Sequence, residues 1–308
     1  MENQVISQPF STRVAHLPTL GLGVSTEFGA ASVTGAIDPL QLAEEFPIFG
    51  AFLEVGVEVA RGLDGAAMAW VDSKRPTTYH FLDINLDDPA DFDPPWLVGM
   101  RRLVDQIEPA WICGDAGLWH FGPRDRGHML LLPPILSRQS AEAMAEGIRR
   151  LRGVMGLEVL PENPPGQVFI GPMHILEFFA ETCERADSGM LLDLAHLAIY
   201  QRAMGYDALT GFDSFPWERV VELHVAGGRL KDHKGLAWVD DDHGLEVLAD
   251  TWRLLDEVLT RAPNVRAIVF ECERNPLKAT ISGYQRIAAA ASQHPILGRR
   301  VGGAGGSL

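Results

Sequence analysis

Four polar residues close four consecutive apolar runs of this chain. They are Glu162 in LEVLPENPPG, Asp193 in GMLLDLAH, His224 in VVELHVAGG and Glu271 in AIVFECE. The intervals of 31, 31 and 47 residues leave room for a helix between each pair of strands. The prolines after Glu162 stop its run, so the carboxylate stands at a strand's carboxyl end. A ring of such oxygens and imidazoles, without sulfur, is a ligand set for Fe, Mn, Co or Zn. Carboxylates crowded together cannot all ionise without a compensating charge, and a cation of charge two or three provides one. Earlier runs bring Glu54, His80 and Asp115 to equivalent positions, and a long loop adds Asp241 and His243. His196 lies three residues past Asp193 on the same rim. A strand-end carboxylate can equally cap the next helix, and a single histidine can simply be packed. The four ends taken together favour the metal. The surplus of ligands implies two or three ions, with Glu162 as a bridge. Asp115 is the candidate for acid–base work, the weakest of these assignments.

The elements that must position these residues alternate regularly. Strand-like runs occur at 20–25, 51–59, 77–82, 110–114, 157–162, 189–196, 220–228 and 267–273. Helical spacing of apolar residues occurs at 39–46, 96–107, 141–155, 173–186, 250–261 and 281–291. Ser137 is placed to cap the helix that ends at Gly156. The pattern predicts an α/β protein, a (β/α)8 TIM barrel, in which strand carboxyl ends meet at one mouth. A doubly wound sheet is the rival, but GLG at 21–23 lacks the third glycine of a dinucleotide-binding turn. Residues 1–17 are expected to be an N-terminal arm, 18–295 one barrel domain and 296–308 a flexible glycine-rich tail. Stretches 196–215 and 229–250 read as long connections, and 123–127 as a loop.

Bulk properties narrow the classes. Hydrophobic residues make up 46% and charged residues 22% of 308 residues, which gives a soluble chain enough apolar material for a large core. The net charge of −15 and the absence of a Lys/Arg block argue against a nucleic-acid partner. Cys113, Cys183 and Cys272 stand far apart with no CxxC spacing, as expected for a cytoplasmic protein without disulfides. No secretory signal pattern and no apolar run of membrane-spanning length is present. His120, His128, His174, His233 and His294 are expected to be structural or solvated. Trp119, Phe121 and Trp238 could line a substrate pocket.

The motifs ENP at 162–164, LLD at 191–193, ELHVAG at 222–227, DDHG at 241–244 and FE at 270–271 resemble the DUF692 family. Its characterised members are multinuclear non-haem iron-dependent oxidases, methanobactin biosynthesis oxidase among them. The resemblance spans roughly residues 18–275. It implies a xylose-isomerase-like barrel with two or three irons (Fe2+/Fe3+) and O2 as co-substrate. It also implies a ribosomally made peptide as substrate, often beside a separate peptide-binding partner protein. By the same resemblance Glu162, Asp193, His224 and Glu271 would hold one iron. His80 with Glu162 would serve a second, and Asp241 with His243 a third. The chain departs from the family pattern at Gly56, Ala116, Ala195 and Gly228, where ligands are usual, so both outer sites are thinned. Asp115, Glu54 or His196 would then compensate.

The expected function is therefore an O2-dependent iron oxidase acting on a cysteine or other residue of a peptide or related small natural product. Three rivals share the fold: a divalent-metal sugar isomerase or epimerase, a metal-dependent phosphoester hydrolase, and a metal-poor binding or scaffold relative.

Overall fold

The computed structural model describes residues 8–26, 33–122, 126 and 130–302. Eight parallel strands close into a barrel. They are β1 (Gly21–Thr26), β2 (Phe52–Val57), β3 (Thr77–Phe81), β4 (Ile112–Asp115), β5 (Val159–Glu162), β6 (Met190–Asp193), β7 (Val220–Ala226) and, after a hairpin, β10 (Ala267–Glu271). Each pairs with its neighbour in sequence, and β10 closes the ring against β1 through Gly21–Ala267, Leu22–Ile268 and Gly23–Val269. The expected (β/α)8 barrel is the fold.

Strand periodicity explains why an apolar barrel carries a polar mouth. Alternate residues share a face, and on the inner face the lower members are Phe52, Leu160, Leu191 and Val269, packed with Trp111 and Val221. Two residues further along the same strands come Glu54, Glu162, Asp193 and Glu271. A layer of apolar floor thus lies directly beneath a layer of ligand-type side chains. The outward residues meet the helices in a second, larger core.

The floor is closed from below. Of the expected arm, residues 8–17 are described, and they are folded: a turn of helix at Phe10–Arg13 runs into a 3-10 turn at Val14–His16. Phe10 and Val14 are buried against the floor, and the buried Arg13 pairs with Glu158 and, at 3.2 Å, with Asp187. At the other end of the chain Gly298–Val301 forms a short helix with Val301 buried; residues 303–308 of the expected tail lie outside the described residues. So does most of the loop expected at 123–127, together with His128.

Three elements depart from the sequence reading. Gly65–Asp72 is a helix capped by Asp64, whose side chain accepts from Ala67 N at 2.9 Å. The stretch after Asp193 is a helix, Leu194–Met204, rather than a connection. Every residue from Leu194 to Gln201 is buried, so the polar face that would have marked a surface helix is missing. The excursion beyond β7 is an antiparallel hairpin, β8 (Gly228–His233) and β9 (Leu236–Asp241), turning at Lys234–Gly235. It delivers Asp241 back to the mouth.

Candidate metal centre

The mouth gathers the side chains that the strand ends carry. His80 Nε2 lies 2.7 Å from Glu162 Oε2, with both side chains buried. His224 Nδ1 lies 3.3 Å from Glu162 Oε1, 3.2 Å from Glu271 Oε1 and 3.9 Å from Asp193 Oδ2. None of these three contacts is aligned as a hydrogen bond. Glu162 Oε1, Asp193 Oδ2, His224 Nδ1 and Glu271 Oε2 are all buried without a hydrogen-bond partner, as are His80 Nδ1 and Asp241 Oδ1. Orphaned acceptors at such density are rare because each carries a full desolvation penalty. Carboxylate oxygens that approach His224 Nδ1 from three strands without bonding it fit a cation.

The ligand atoms fall into overlapping sets, each within 4.8 Å: His80, Asp115 and Glu162; Glu162, Asp193 and His196; Glu54, His224 and Glu271. Glu162 belongs to two of them. Asp193 performs both of the tasks open to a strand-end carboxylate. Its Oδ1 caps the following helix by accepting from His196 N at 2.5 Å, while Oδ2 is the orphan. Asn163 holds it there, donating from Nδ2 to Asp193 O and accepting from Asp193 N, both at 2.9 Å.

Asp241 and His243 come over the mouth from the hairpin and the loop after it. Asp241 Oδ2 is 3.0 Å from His196 Nε2 and 3.6 Å from His243 Nε2, and His243 Nε2 is 3.8 Å from Glu271 Oε2. The other nitrogen of His196 is 2.9 Å from the Asn163 carbonyl, so both ring nitrogens face acceptors. Asp115 Oδ1 is 3.8 Å from His196 Nδ1. All ten expected site residues thus lie in one contiguous group.

Charge is unbalanced there. Burial alone would lower the His80 pKa, but Glu54 and Glu162 outweigh it and raise it to about 10. His224, His196 and His243 are likewise raised well above the ordinary value against the same burial, by Glu54, Asp193 and Glu273 respectively. Asp193 is pushed up to about 8, by burial first and then by Glu271 and Glu162. Glu162 and Glu271 are driven the other way despite burial, Glu162 by His224 and Glu271 by His243 and His224. Imidazolium ions and a protonated aspartate are what such a site adopts when protons alone must neutralise it. Among the described residues no lysine or arginine is one of its buried members; Arg274, exposed, lies 3.7 Å from Glu273.

Residues missed in the sequence complete the group. Glu273 lies 2.9 Å from His243 Nδ1, and Glu222 accepts from Trp111 Nε1 at 2.6 Å beneath the mouth. Cys113 donates to Glu54 at 3.2 Å. The available signal was spacing: Glu222 sits two residues before His224 on β7, and Glu273 two residues past Glu271, in the turn after β10. Of the other histidines, His174 caps a helix, His294 is held by the Ala262 carbonyl and His120 lies 3.0 Å from Asp91. His233 is exposed near the hairpin tip. Trp119 is fully buried, bonded to the Asp115 carbonyl, and Phe121 is exposed. Gly56, opposite His80 in register, lines a cavity of about 200 Å³ with Thr26, Glu58, Arg61 and Leu82.

Fold and site define a class: a TIM barrel whose mouth is built as a candidate metal centre. Solved structures that share the architecture include a xylose isomerase domain protein from Planctomyces limnophilus (TM-score 0.50, 12% identity, 90% of this chain and 99% of that one). Another is a xylose isomerase-like TIM barrel protein from Mycobacterium smegmatis in complex with magnesium (TM-score 0.53, 10% identity, 90% and 99%). At such identities the likeness concerns the fold alone. The sequence pattern of the RiPP precursor modification enzymes MbnB/TglH/ChrH matches residues 40–292, and this chain belongs to that family. Relatives include a UPF0276 protein of a Caulobacter species, 27% identical over 250 residues, 79% of this chain and 85% of that one. A UPF0276 protein of Rhizorhabdus wittichii is 25% identical over 227 residues, 72% and 80%. No helix among the described residues is long and apolar enough to cross a membrane.

Proposed function

We propose that this protein is an O2-dependent non-haem iron oxidase holding two or three iron ions. Its substrate is a ribosomally made peptide or related small natural product, modified at a cysteine or another residue. The observation that carries this reading is the convergence of buried, unpartnered carboxylate and imidazole atoms at the mouth, in a chain of a peptide-modifying family. An oxygen and nitrogen donor set with surplus carboxylate suits iron, and the buried Cys113 donates to Glu54 at 3.2 Å.

Glu162, Asp193, His224 and Glu271 would hold one ion. His80 and Asp115 with Glu162 would hold a second, and Asp241, His243 and His196 a third. Bound iron would supply the redox chemistry of dioxygen reduction and bind the substrate. The chain's own residues orient and exclude water. Asn163 and the helix cap hold Asp193 against rotation. The packed floor of Phe52, Leu160, Leu191 and Val269 closes the site to solvent from below. Asp115, whose Oδ1 is 3.8 Å from His196 Nδ1, would move a proton at the substrate wherever it is not taken up by the second ion. The proposed setting is cytoplasmic, with a peptide-binding partner protein and neither nucleic acid nor membrane, in keeping with the −15 charge.

The test is anaerobic purification after iron-replete expression, with metal analysis, followed by exposure to O2 with a short peptide encoded beside the gene. At least two irons per chain and an O2-dependent mass change in the peptide are expected. Manganese or magnesium with aldose–ketose turnover and no O2 uptake would make it an isomerase. A protein without stoichiometric metal would be a scaffold.

A further inference from the structure

We propose that Glu54 is a positioning residue for His224 and no metal ligand, although its carboxylate lies within the same cluster. The two nitrogens of an imidazole point in divergent directions. His224 Nδ1 faces Glu162, Glu271 and Asp193 at 3.2 to 3.9 Å. His224 Nε2 faces Glu54 Oε2 at 3.2 Å. An oxygen bonded to the far nitrogen lies on the opposite side of the ring from a cation on the near one. The sequence makes this arrangement: Glu54 follows Phe52 on the inner face of β2, while Glu162, Asp193 and Glu271 each end their strands.

Glu54 is itself fixed. The same oxygen, Oε2, accepts from Cys113 Sγ at 3.2 Å, and Glu222, tied to Trp111 at 2.6 Å, is within 4.8 Å of that pair. Among the described residues this deeper trio is fully enclosed; Glu54 is 2% exposed and Cys113 and Glu222 0%. With a cation on Nδ1, the remaining hydrogen of the His224 imidazole stands on Nε2, where Glu54 Oε2 is the acceptor that faces it at 3.2 Å. Outer carboxylates of this kind fix the tautomer and plane of a metal-binding histidine and raise its basicity. The mouth repeats the device once: Glu273 lies 2.9 Å from His243 Nδ1, leaving His243 Nε2 toward Asp241 and Glu271.

This inference rests on the metal reading above, and its test separates the two. Wild type, Glu54→Gln and Glu54→Ala, all metal-free, are titrated with Zn(II) against a competing chelator. Wild-type protein labelled with 15N in its histidine rings and loaded with zinc is examined by long-range 1H–15N correlation. A positioning role predicts unchanged zinc stoichiometry in both variants. Affinity should fall about 10–100-fold in Glu54→Ala and less in Glu54→Gln, whose amide oxygen still accepts from Nε2. It also predicts His224 with Nδ1 on zinc and Nε2 protonated, a readout that needs no variant and survives any failure of Glu54→Ala to fold. Equal affinity in all three proteins, loss of a zinc equivalent in Glu54→Gln, or zinc on Nε2 would overturn the role. Wild-type protein that takes up no zinc would overturn the metal reading and the role with it.

Discussion

Replacing Glu162 by Gln is the perturbation with the most to say, because this residue belongs to two ligand sets at once. The change keeps shape and removes charge. Glu162 Oε2 contacts His80 at 2.7 Å and Oε1 lies 3.3 Å from His224 Nδ1, with side-chain exposures of 1% for Glu162, 5% for His80 and 0% for His224. Breaking a buried ion pair on one side typically costs about 3–5 kcal/mol. At about 1.5 °C per kcal/mol for a chain of 308 residues, the metal-free variant should melt roughly 5–8 °C lower. The larger effect is on metal. A shared carboxylate lost should empty both neighbouring positions, whereas Asp115→Asn should empty one of them and Asp193→Asn the other. Each loss should exceed the about 10–100-fold that outer partners of a metal ligand are worth. The assay is metal analysis after anaerobic loading and desalting, run beside differential scanning calorimetry of the metal-free proteins. Glu162→Gln that keeps full metal and melts with wild type would refute the reasoning, and loss of a single ion would refute the bridge.

Further consequences concern protonation and the floor. Asp193 and Glu222, each pushed to about 8 by burial first, hold protons in the folded chain that the unfolded chain has released. Their contribution is complete below about pH 4 and vanishes as pH rises through about 8, so metal-free protein should lose stability progressively between about pH 4 and 8 in calorimetry. His80, raised to about 10, extends the same trend. Glu271, lowered to about 2, acts oppositely, and its contribution disappears only as pH falls through about 2. Because these protons must leave before a cation enters, metal affinity should rise with pH across the same window, and a flat profile by chelator competition would contradict this. Asp193→Asn removes one of the two carboxylates pushed to about 8, so the metal-free variant at pH 8 should melt at or above wild type while binding less metal. Arg13→Met strips Glu158 of its buried partner and should cost about 3–5 kcal/mol of stability with metal stoichiometry unchanged; a loss of metal there would tie the floor to the mouth more closely than drawn.

The legible parts of this protein were those with a simple period. Apolar runs of four to six residues ending in Glu162, Asp193, His224 and Glu271 marked four strands, their order and their mouth, because strand length and a closing polar residue leave a local trace. Leu194–Met204 left none, since a helix buried on all sides has no polar stripe to betray its turn. The hairpin was hidden for the opposite reason: every residue of β8 after Gly228 is exposed, so it lacks the alternation that reveals a half-buried strand. The fold of residues 10–16 onto the floor depends on Glu158 and Asp187, about 145 and 174 positions away, contacts no local pattern encodes. At the site, residue types announced the ligands, whereas which nitrogen of His224 faces which carboxylate required the closed barrel. Glu54 could be named from its position on β2, but its place beneath His224 follows only from ring closure through β10.

The central claim is that the strand ends hold cations. Crystals grown anaerobically from iron-loaded protein, measured on both sides of the iron absorption edge, test it directly. Anomalous density is expected within bonding reach of Glu162, Asp193, His224 and Glu271, with at least one more peak beside His80 or Asp241. An anomalous map empty at the mouth, from protein that carried iron into the crystal, would contradict it.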